Sequence, residues 1–339
     1  MVENREGKRS SWTPYGIWVL ILHVLGLLLA VVSYQDHPAL LGLGILAYTL
    51  GMRHAFDADH IAAIDNTVRK LVQQGSNATG AGFYFALGHS TVVCCMAVAT
   101  LLVIDWASAN MPQMQEVGGT IGMSVSGIFL LLMGLFNLAV LINLYRLYRE
   151  MRHKEHEEEK LERILQTRGF LSRLLNPLNK FVNRSWHVYP IGFLFGLGFD
   201  TASEIALLAM SASAAQNEVP VAGILALPIL FAAGMSLFDT ADGILMNSAY
   251  RWALRNPLRT VYYNISVTGL SVLTALVIGG FELAQVLLSH AGATNGAGKW
   301  ILELDFGSIG FVLVGILLSA WAISYCVWRN GRIGQRLSG

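Results

Sequence analysis

Long apolar stretches recur along the whole chain, and most are long enough to form membrane-spanning helices. About 20 predominantly apolar residues are needed for a helix to cross the hydrocarbon layer. Eight stretches fit, although the second must continue as a helix through a charged segment to about residue 66. The pattern predicts an all-α membrane protein whose spans lie near 15–34, 39–66, 81–104, 119–145, 188–213, 219–248, 260–289 and 308–328.

Composition and charge placement extend this prediction. Only 13% of residues are charged, about half the share in a soluble domain, so we expect a single membrane domain over residues 1–339. The one long polar segment, 146–187, reads as a cytosolic loop. If the spans alternate in direction, every Lys and Arg except Arg53 and Lys299 falls on the side that carries both termini. Positive charge accumulates in cytoplasmic loops, so both termini are predicted to be cytoplasmic.

A short pattern occurs in two of the predicted spans. Residues 51–59, GMRHAFDAD, resemble residues 234–242, GMSLFDTAD, and both spans run in the same direction. A parallel duplication of four helices would place the two segments in equivalent positions. Independent origin from similar binding needs explains the pattern equally well, so a 4+4 repeat stays one of two interpretations.

Ionisable side chains inside the predicted spans are the candidates for function, because each costs several kcal/mol at membrane depth. His54, Asp57 and His60 share one helix face, and counting the helical rise places His54, His89 and Asp239 at similar depths. We expect one site in the bundle interior. The candidates are His54, Asp57, Asp59, His60, His89, Asp200, Glu204, Asp239 and Asp242.

Imidazoles beside carboxylates are typical ligands of borderline divalent transition metals, whereas magnesium and calcium take oxygen ligands. Cys94, Cys95 and Cys326 form no thiolate cluster in the sequence, which argues against copper(I) or structural zinc. A purely structural ion-pair network is the alternative. The carboxylates of the spans greatly outnumber Arg53, their one arginine, and such excess negative charge requires cations or protons. A cation site is therefore the favoured interpretation.

Four motifs resemble those of the nickel/cobalt transporter (NiCoT) family, in the family's order. They are RHAFDADHI at 53–61, FALGHSTVV at 85–93, LGFDTASE at 197–204 and GMSLFDTAD at 234–242. The resemblance covers nearly the whole chain. It implies uptake of Ni²⁺ or Co²⁺ as the transported substrate, with no further cofactor and no ATPase subunit. It also implies that His54, Asp57, Asp59 and His60 are the principal metal residues, and that the other five assist.

The resemblance gives one more residue a possible role. In the family, a polar residue of the first helix is associated with the choice between nickel and cobalt, and His23 occupies the first span. A ligand or selectivity role for His23 stands beside a plain hydrogen bond to a neighbouring helix. Phe56, next to the second-helix motif, could influence the same choice through packing.

Three functional expectations follow, with two rivals. We expect a secondary transporter in a bacterial cytoplasmic (inner) membrane, with no nucleic-acid partner and no enzymatic activity. An exporter on a related scaffold is one rival, although the two loop histidines, His153 and His156, are not the histidine-rich loop that would favour export. The second rival, an intramembrane metal-dependent hydrolase, would need a motif such as H-E-x-x-H, which the sequence lacks.

Overall fold

The computed structural model of the chain describes residues 11–34, 37–102, 104–153, 182–198, 201–253, 257–292, 296–304, 310–316 and 319. The residues in these ranges form helices and connecting turns, with no strand. The helices are α1 (Thr13–Tyr34), α2 (Ala39–His54), α3 (Ala58–Gln73), α4 (Ala81–Leu102), α5 (Ile104–His153), α6 (Tyr189–Gly196), α7 (Ala202–Gln216), α8 (Val221–Ala253), α9 (Pro257–His290) and α10 (Gly296–Leu302). A 3₁₀ turn, Ser185–Val188, precedes α6, and 310–316 is also helical.

Five helical segments in the described ranges are long and apolar enough to cross a membrane. They are Thr13–Tyr34, Ala81–Leu102, Glu116–Ile142, Val221–Arg251 and Thr268–His290. The bent pair of α2 and α3 provides a sixth if it counts as one span. Large apolar side chains of α1, such as Trp18, Leu27 and Val32, are exposed, as a lipid-facing surface requires. The all-helical, multi-pass prediction is confirmed, while eight spans remains a prediction.

Two predicted spans are interrupted in the structure. The second bends by 53° between α2 and α3, where Asp59 lies in the first turn of α3 and its negative charge favours a helix N-terminus. The fifth, predicted over 188–213, is divided between α6 and α7, and the backbone of Thr201 just before α7 is extended (φ −95°, ψ 141°). A count of apolar residues does not detect such breaks. Asp200, most of the eighth span and residues 154–181 of the loop lie outside the described residues.

The chain folds into two compact units. The first comprises the described residues within 1–55, 67–125 and 182–247, and the second comprises those within 56–66, 126–181 and 248–339. In the first unit, α4 packs along α6 and also touches α7, and α2 packs against both α1 and α7. Its core is built mainly from small and aliphatic side chains such as Ala47, Ala86 and Leu207, and it also contains Phe231.

Reciprocal glycines allow α4 and α6 to approach closely. A Cβ added to Gly88 would stand 2.1 Å from the carbonyl oxygen of Tyr189, and one added to Gly192 would stand 2.0 Å from that of Phe85. Any side chain at either position would force the two backbones apart. Gly196, one turn after Gly192, faces the backbone of His89, so this contact fixes the height and rotation of the helix that carries His89.

Buried polar side chains hold the second unit together. The Asn137 side-chain amide donates to Asn66 Oδ1 at 2.6 Å, and Ser271 Oγ lies 3.2 Å from the same oxygen. Ser271 and Tyr250 also bond the carboxylate of Asp65 through their hydroxyl groups. Each of the five residues is at least nine-tenths buried. Interhelical bonds of this kind stabilise membrane bundles by about 0.6–2 kcal/mol each.

Candidate metal centre

Two buried imidazoles meet in the first unit, one from α2 and one from α4. His54 is the last residue of α2, and His89 lies in the middle of α4. Their Nε2 atoms are 2.9 Å apart and their ring centroids 4.7 Å apart. Both residues are at most 2% exposed. Two neutral imidazole nitrogens at this distance attract one another only if a proton or another cation lies between them.

A carboxylate from a third helix completes this group. Glu204 lies in the first turn of α7 and is fully buried. Its Oε1 atom is 2.8 Å from His89 Nε2 and 3.9 Å from His54 Nε2. Its Oε2 atom accepts a hydrogen bond from the Thr201 hydroxyl at 3.0 Å. We call His54, His89 and Glu204 the His–His–Glu cluster.

The separations within this cluster suit a transition-metal ion. Histidine nitrogens and carboxylate oxygens bind such ions at about 2.0–2.2 Å, which places adjacent ligand atoms about 3 Å apart. The two closer ligand pairs of the cluster, at 2.9 and 2.8 Å, match this spacing. Two nitrogen ligands and one carboxylate favour nickel, cobalt, zinc or copper(II) over the hard cations magnesium and calcium.

Aromatic rings border the His–His–Glu cluster. The Phe231 ring centroid lies 5.6 Å from that of His54, and the Phe85 ring centroid lies 6.5 Å from that of His89. Phe85 also contacts Phe195 edge-on, at 5.2 Å. Apolar walls lower the local dielectric constant, which strengthens the interaction between a bound cation and Glu204.

The second-helix motif also contains three ionisable side chains that are buried or partly buried. Asp57 and His60 are almost fully buried, and Asp59 is partly buried. Asp59 Oδ1 accepts a hydrogen bond from the backbone N–H of His60 at 2.9 Å. All three belong to the second unit, and their role as metal residues stays a prediction.

The sixth-span candidates lie along α8. Asp239 is buried, Asp242 is partly buried, and the carbonyl oxygen of Asp239 would stand 1.8 Å from a Cβ on Gly82. Gly82 precedes His89 by seven residues on α4, or about 10 Å of helical rise. Asp239 therefore stands about two turns from the His–His–Glu cluster along α4. Asp239 and His89, which are predicted to lie at similar depths, are thus separated by about 10 Å along α4.

His23 connects the first two helices. Its Nδ1 atom lies 2.8 Å from the carbonyl oxygen of Val19, and its Nε2 atom lies 3.2 Å from the hydroxyl of Tyr48 on α2. The two rings also meet edge-on at 5.5 Å. These contacts match the hydrogen-bond interpretation of His23, and its ligand or selectivity role stays a prediction.

Sequence reasoning gave no role to two residues that touch the cluster. Phe231 left no signal, because an apolar residue in an apolar helix resembles its neighbours. Thr201 did leave one. The spacing Thr201-x-x-Glu204 is a helix-start signature, in which a hydroxyl caps the backbone N–H three residues later, and the structure contains this bond at 3.4 Å.

Comparison with known proteins identifies the family. The family model described as high-affinity nickel-transport protein (NicO) matches residues 40–327. The chain belongs to this family. The resemblance that the four motifs predict is thereby confirmed, and the chain is a multi-pass membrane protein of a nickel-transport family.

Similar proteins extend over almost the whole chain. The nickel transporter NixA of Staphylococcus aureus is 51% identical, over 98% of each chain. The high-affinity nickel-transport protein NixA of Helicobacter pylori is 49% identical, over 94% of this chain and 97% of its own. The cobalt transport protein NhlF of Rhodococcus rhodochrous is 41% identical, over 89% and 88%. No solved structure matches the chain.

Proposed function

We propose that the protein is a secondary transporter that imports Ni²⁺, Co²⁺ or both across a bacterial cytoplasmic membrane. The observation that carries the proposal is the His–His–Glu cluster, which brings three metal ligands from three helices together in a buried position. Similar proteins named for nickel transport and for cobalt transport support this cargo.

The transported ion would bind to the His–His–Glu cluster. We propose that His54, Asp57, Asp59 and His60 are the principal ligands or path residues, and that His89 and Glu204 assist. Asp200, Asp239 and Asp242 would line the continuation of the path. Asp239 lies about 10 Å from His89 along α4. This distance suits a second binding position on the path rather than a place in the same coordination shell.

The membrane potential provides a driving force for import. Each elementary charge gains about 2.3 kcal/mol per 100 mV on moving to the negative side. At 100 mV, a divalent cation therefore gains about 4.6 kcal/mol. Because 1.4 kcal/mol corresponds to a factor of ten, this energy sustains roughly a 2,000-fold concentration ratio of the ion across the membrane. Import on this basis needs no ATPase subunit.

The direction of transport is tested in cells and in liposomes. Expressing cells should accumulate more nickel or cobalt than cells that express a His89→Ala variant inserted in equal amount. Proteoliposomes with an imposed inside-negative potential should take up ⁶³Ni²⁺ faster than liposomes without a potential. Lower metal content in expressing cells would instead identify an exporter. Equal uptake by the wild type and the variant would exclude His89 from the site.

A further inference from the structure

Thr201 touches two members of the His–His–Glu cluster through one hydroxyl group. Its Oγ1 atom lies 3.3 Å from His54 Nδ1 and 3.0 Å from Glu204 Oε2. The same atom accepts the backbone N–H of Glu204 at 3.4 Å. Thr201 is thus the N-cap of α7 and also a neighbour of two predicted metal ligands that come from different helices.

The donors and acceptors in this arrangement can be assigned. A threonine hydroxyl carries one hydrogen and two lone pairs. Its hydrogen is donated to Glu204 Oε2, since a carboxylate oxygen accepts. The contact between Thr201 Oγ1 and His54 Nδ1 is then a hydrogen bond only if the hydrogen is on Nδ1. The Thr201 hydroxyl consequently favours the His54 tautomer that is protonated at Nδ1.

This tautomer leaves the other ring nitrogen of His54 ready to bind a metal ion. With the hydrogen on Nδ1, the lone pair of Nε2 points towards His89 Nε2, which is 2.9 Å away. A histidine ligand generally gives its second ring N–H to a neighbouring acceptor, and that bond fixes the tautomer and the ring orientation. Thr201 Oγ1 is the acceptor for the Nδ1–H group of His54.

We propose that Thr201 is a positioning residue that holds His54 in its metal-binding tautomer and turns the Glu204 carboxylate towards the same ion. This inference rests on the proposed function, in which the His–His–Glu cluster binds the transported metal. It gives the hydroxyl a role beyond capping: a cap alone would stabilise α7 without changing metal affinity or the tautomer of His54.

Three substitutions separate positioning from capping. Thr201→Val removes the hydroxyl at nearly constant volume, and Thr201→Ser retains it. Thr100→Val is a matched control, because Thr100 is a buried threonine of α4 whose hydroxyl bonds the Met96 carbonyl of its own helix at 2.9 Å. For each purified protein we would measure the Ni²⁺ dissociation constant by calorimetry and the melting temperature. The His54 tautomer would be read from ¹⁵N imidazole spectra, assigned with a His54→Gln variant.

We expect Thr201→Val to weaken Ni²⁺ binding by about 10- to 100-fold, the usual effect of losing such an outer contact. Thr201→Ser and Thr100→Val should bind like the wild type. The metal-free wild type and Thr201→Ser should show His54 protonated at Nδ1, and Thr201→Val should lose this preference. A wild type protonated at Nε2 would overturn the inference without reference to any variant.

The remaining outcomes distinguish this inference from the proposed function. If Thr201→Val only lowers the melting temperature, with affinity and tautomer unchanged, Thr201 is a helix cap and the inference is wrong. The proposed function then still stands, provided that His54→Ala weakens Ni²⁺ binding. If His54→Ala binds Ni²⁺ like the wild type, the proposed function fails, and the inference fails with it.

Discussion

A single methyl group placed between α4 and α6 should weaken metal binding without touching any ligand. Gly192→Ala would place a Cβ 2.0 Å from the carbonyl oxygen of Phe85, whereas nonbonded heavy atoms rest about 3.5 Å apart. The helices must therefore separate by more than about 1 Å. Metal–ligand distances tolerate about 0.2 Å, so the displacement of His89, one turn after Phe85 on α4, exceeds what the cluster can absorb.

Two magnitudes follow from this displacement. Overpacking of a tight contact costs about 1–3 kcal/mol of stability, which should appear as a lower melting temperature in detergent. Misplacement of one ligand should weaken Ni²⁺ binding by at least about tenfold, as the loss of supporting contacts does in other metal sites. Calorimetric titration of the purified protein with Ni²⁺ measures the second quantity, and intrinsic tryptophan fluorescence during heating measures the first.

Gly42→Ala is the matched control. A Cβ on Gly42, in α2, would have no heavy atom within 4 Å, so the same substitution should be neutral or stabilising by up to about 1 kcal/mol through helix propensity. Metal affinity should be unchanged. If Gly192→Ala behaves like Gly42→Ala in both measurements, the α4–α6 contact does not set the position of His89, and the packing argument is refuted.

Three further predictions test the site and its surroundings. His60→Ala should abolish ⁶³Ni²⁺ uptake at normal insertion, whereas His290→Ala, at an exposed helix end, should retain it; retained uptake in His60→Ala would remove that residue from the path. Ser271→Ala should lower the free energy of unfolding by about 1–2 kcal/mol through lost hydrogen bonds, and an unchanged melting temperature would contradict this. His23→Ala should change how strongly Co²⁺ competes with ⁶³Ni²⁺ uptake; unaltered competition would leave His23 as a contact between α1 and α2.

Hydropathy predicts where most of the long helices lie, because it reports which segments favour lipid over water. α5 differs from its prediction: the span expected over 119–145 extends over Ile104–His153. α1, α4 and α8 lie close to their predicted positions. The breaks in the second and fifth spans are different. Each break depends on a local feature, an acidic helix start near Asp59 or a threonine cap at Thr201. Such a feature involves few residues, so it barely lowers the mean hydropathy of an apolar window. Counting helices from hydropathy therefore misses both breaks.

The same contrast holds for the candidate site. Charged residues inside spans are conspicuous because they are costly in lipid, so His54, His89 and Glu204 stand out in the sequence. Their convergence depends on helix rotation and on close packing at glycines, which is tertiary information. Phe231 could not be distinguished from other apolar residues, and the contact of the Thr201 hydroxyl with His54 becomes visible only once α2 and α7 are placed together.

X-ray absorption at the nickel edge of the Ni²⁺-loaded protein tests the central claim most directly. The outer ring atoms of an imidazole ligand add scattering from beyond the atoms bound to the metal. Sulfur ligands are recognised by a longer metal–ligand distance, about 2.3 Å for zinc. We predict nitrogen and oxygen ligands with at least two imidazoles in the wild type, and weaker imidazole scattering from the residual nickel that a His54→Ala, His89→Ala double variant binds. A spectrum unchanged by the double substitution, or one dominated by sulfur, would contradict the account.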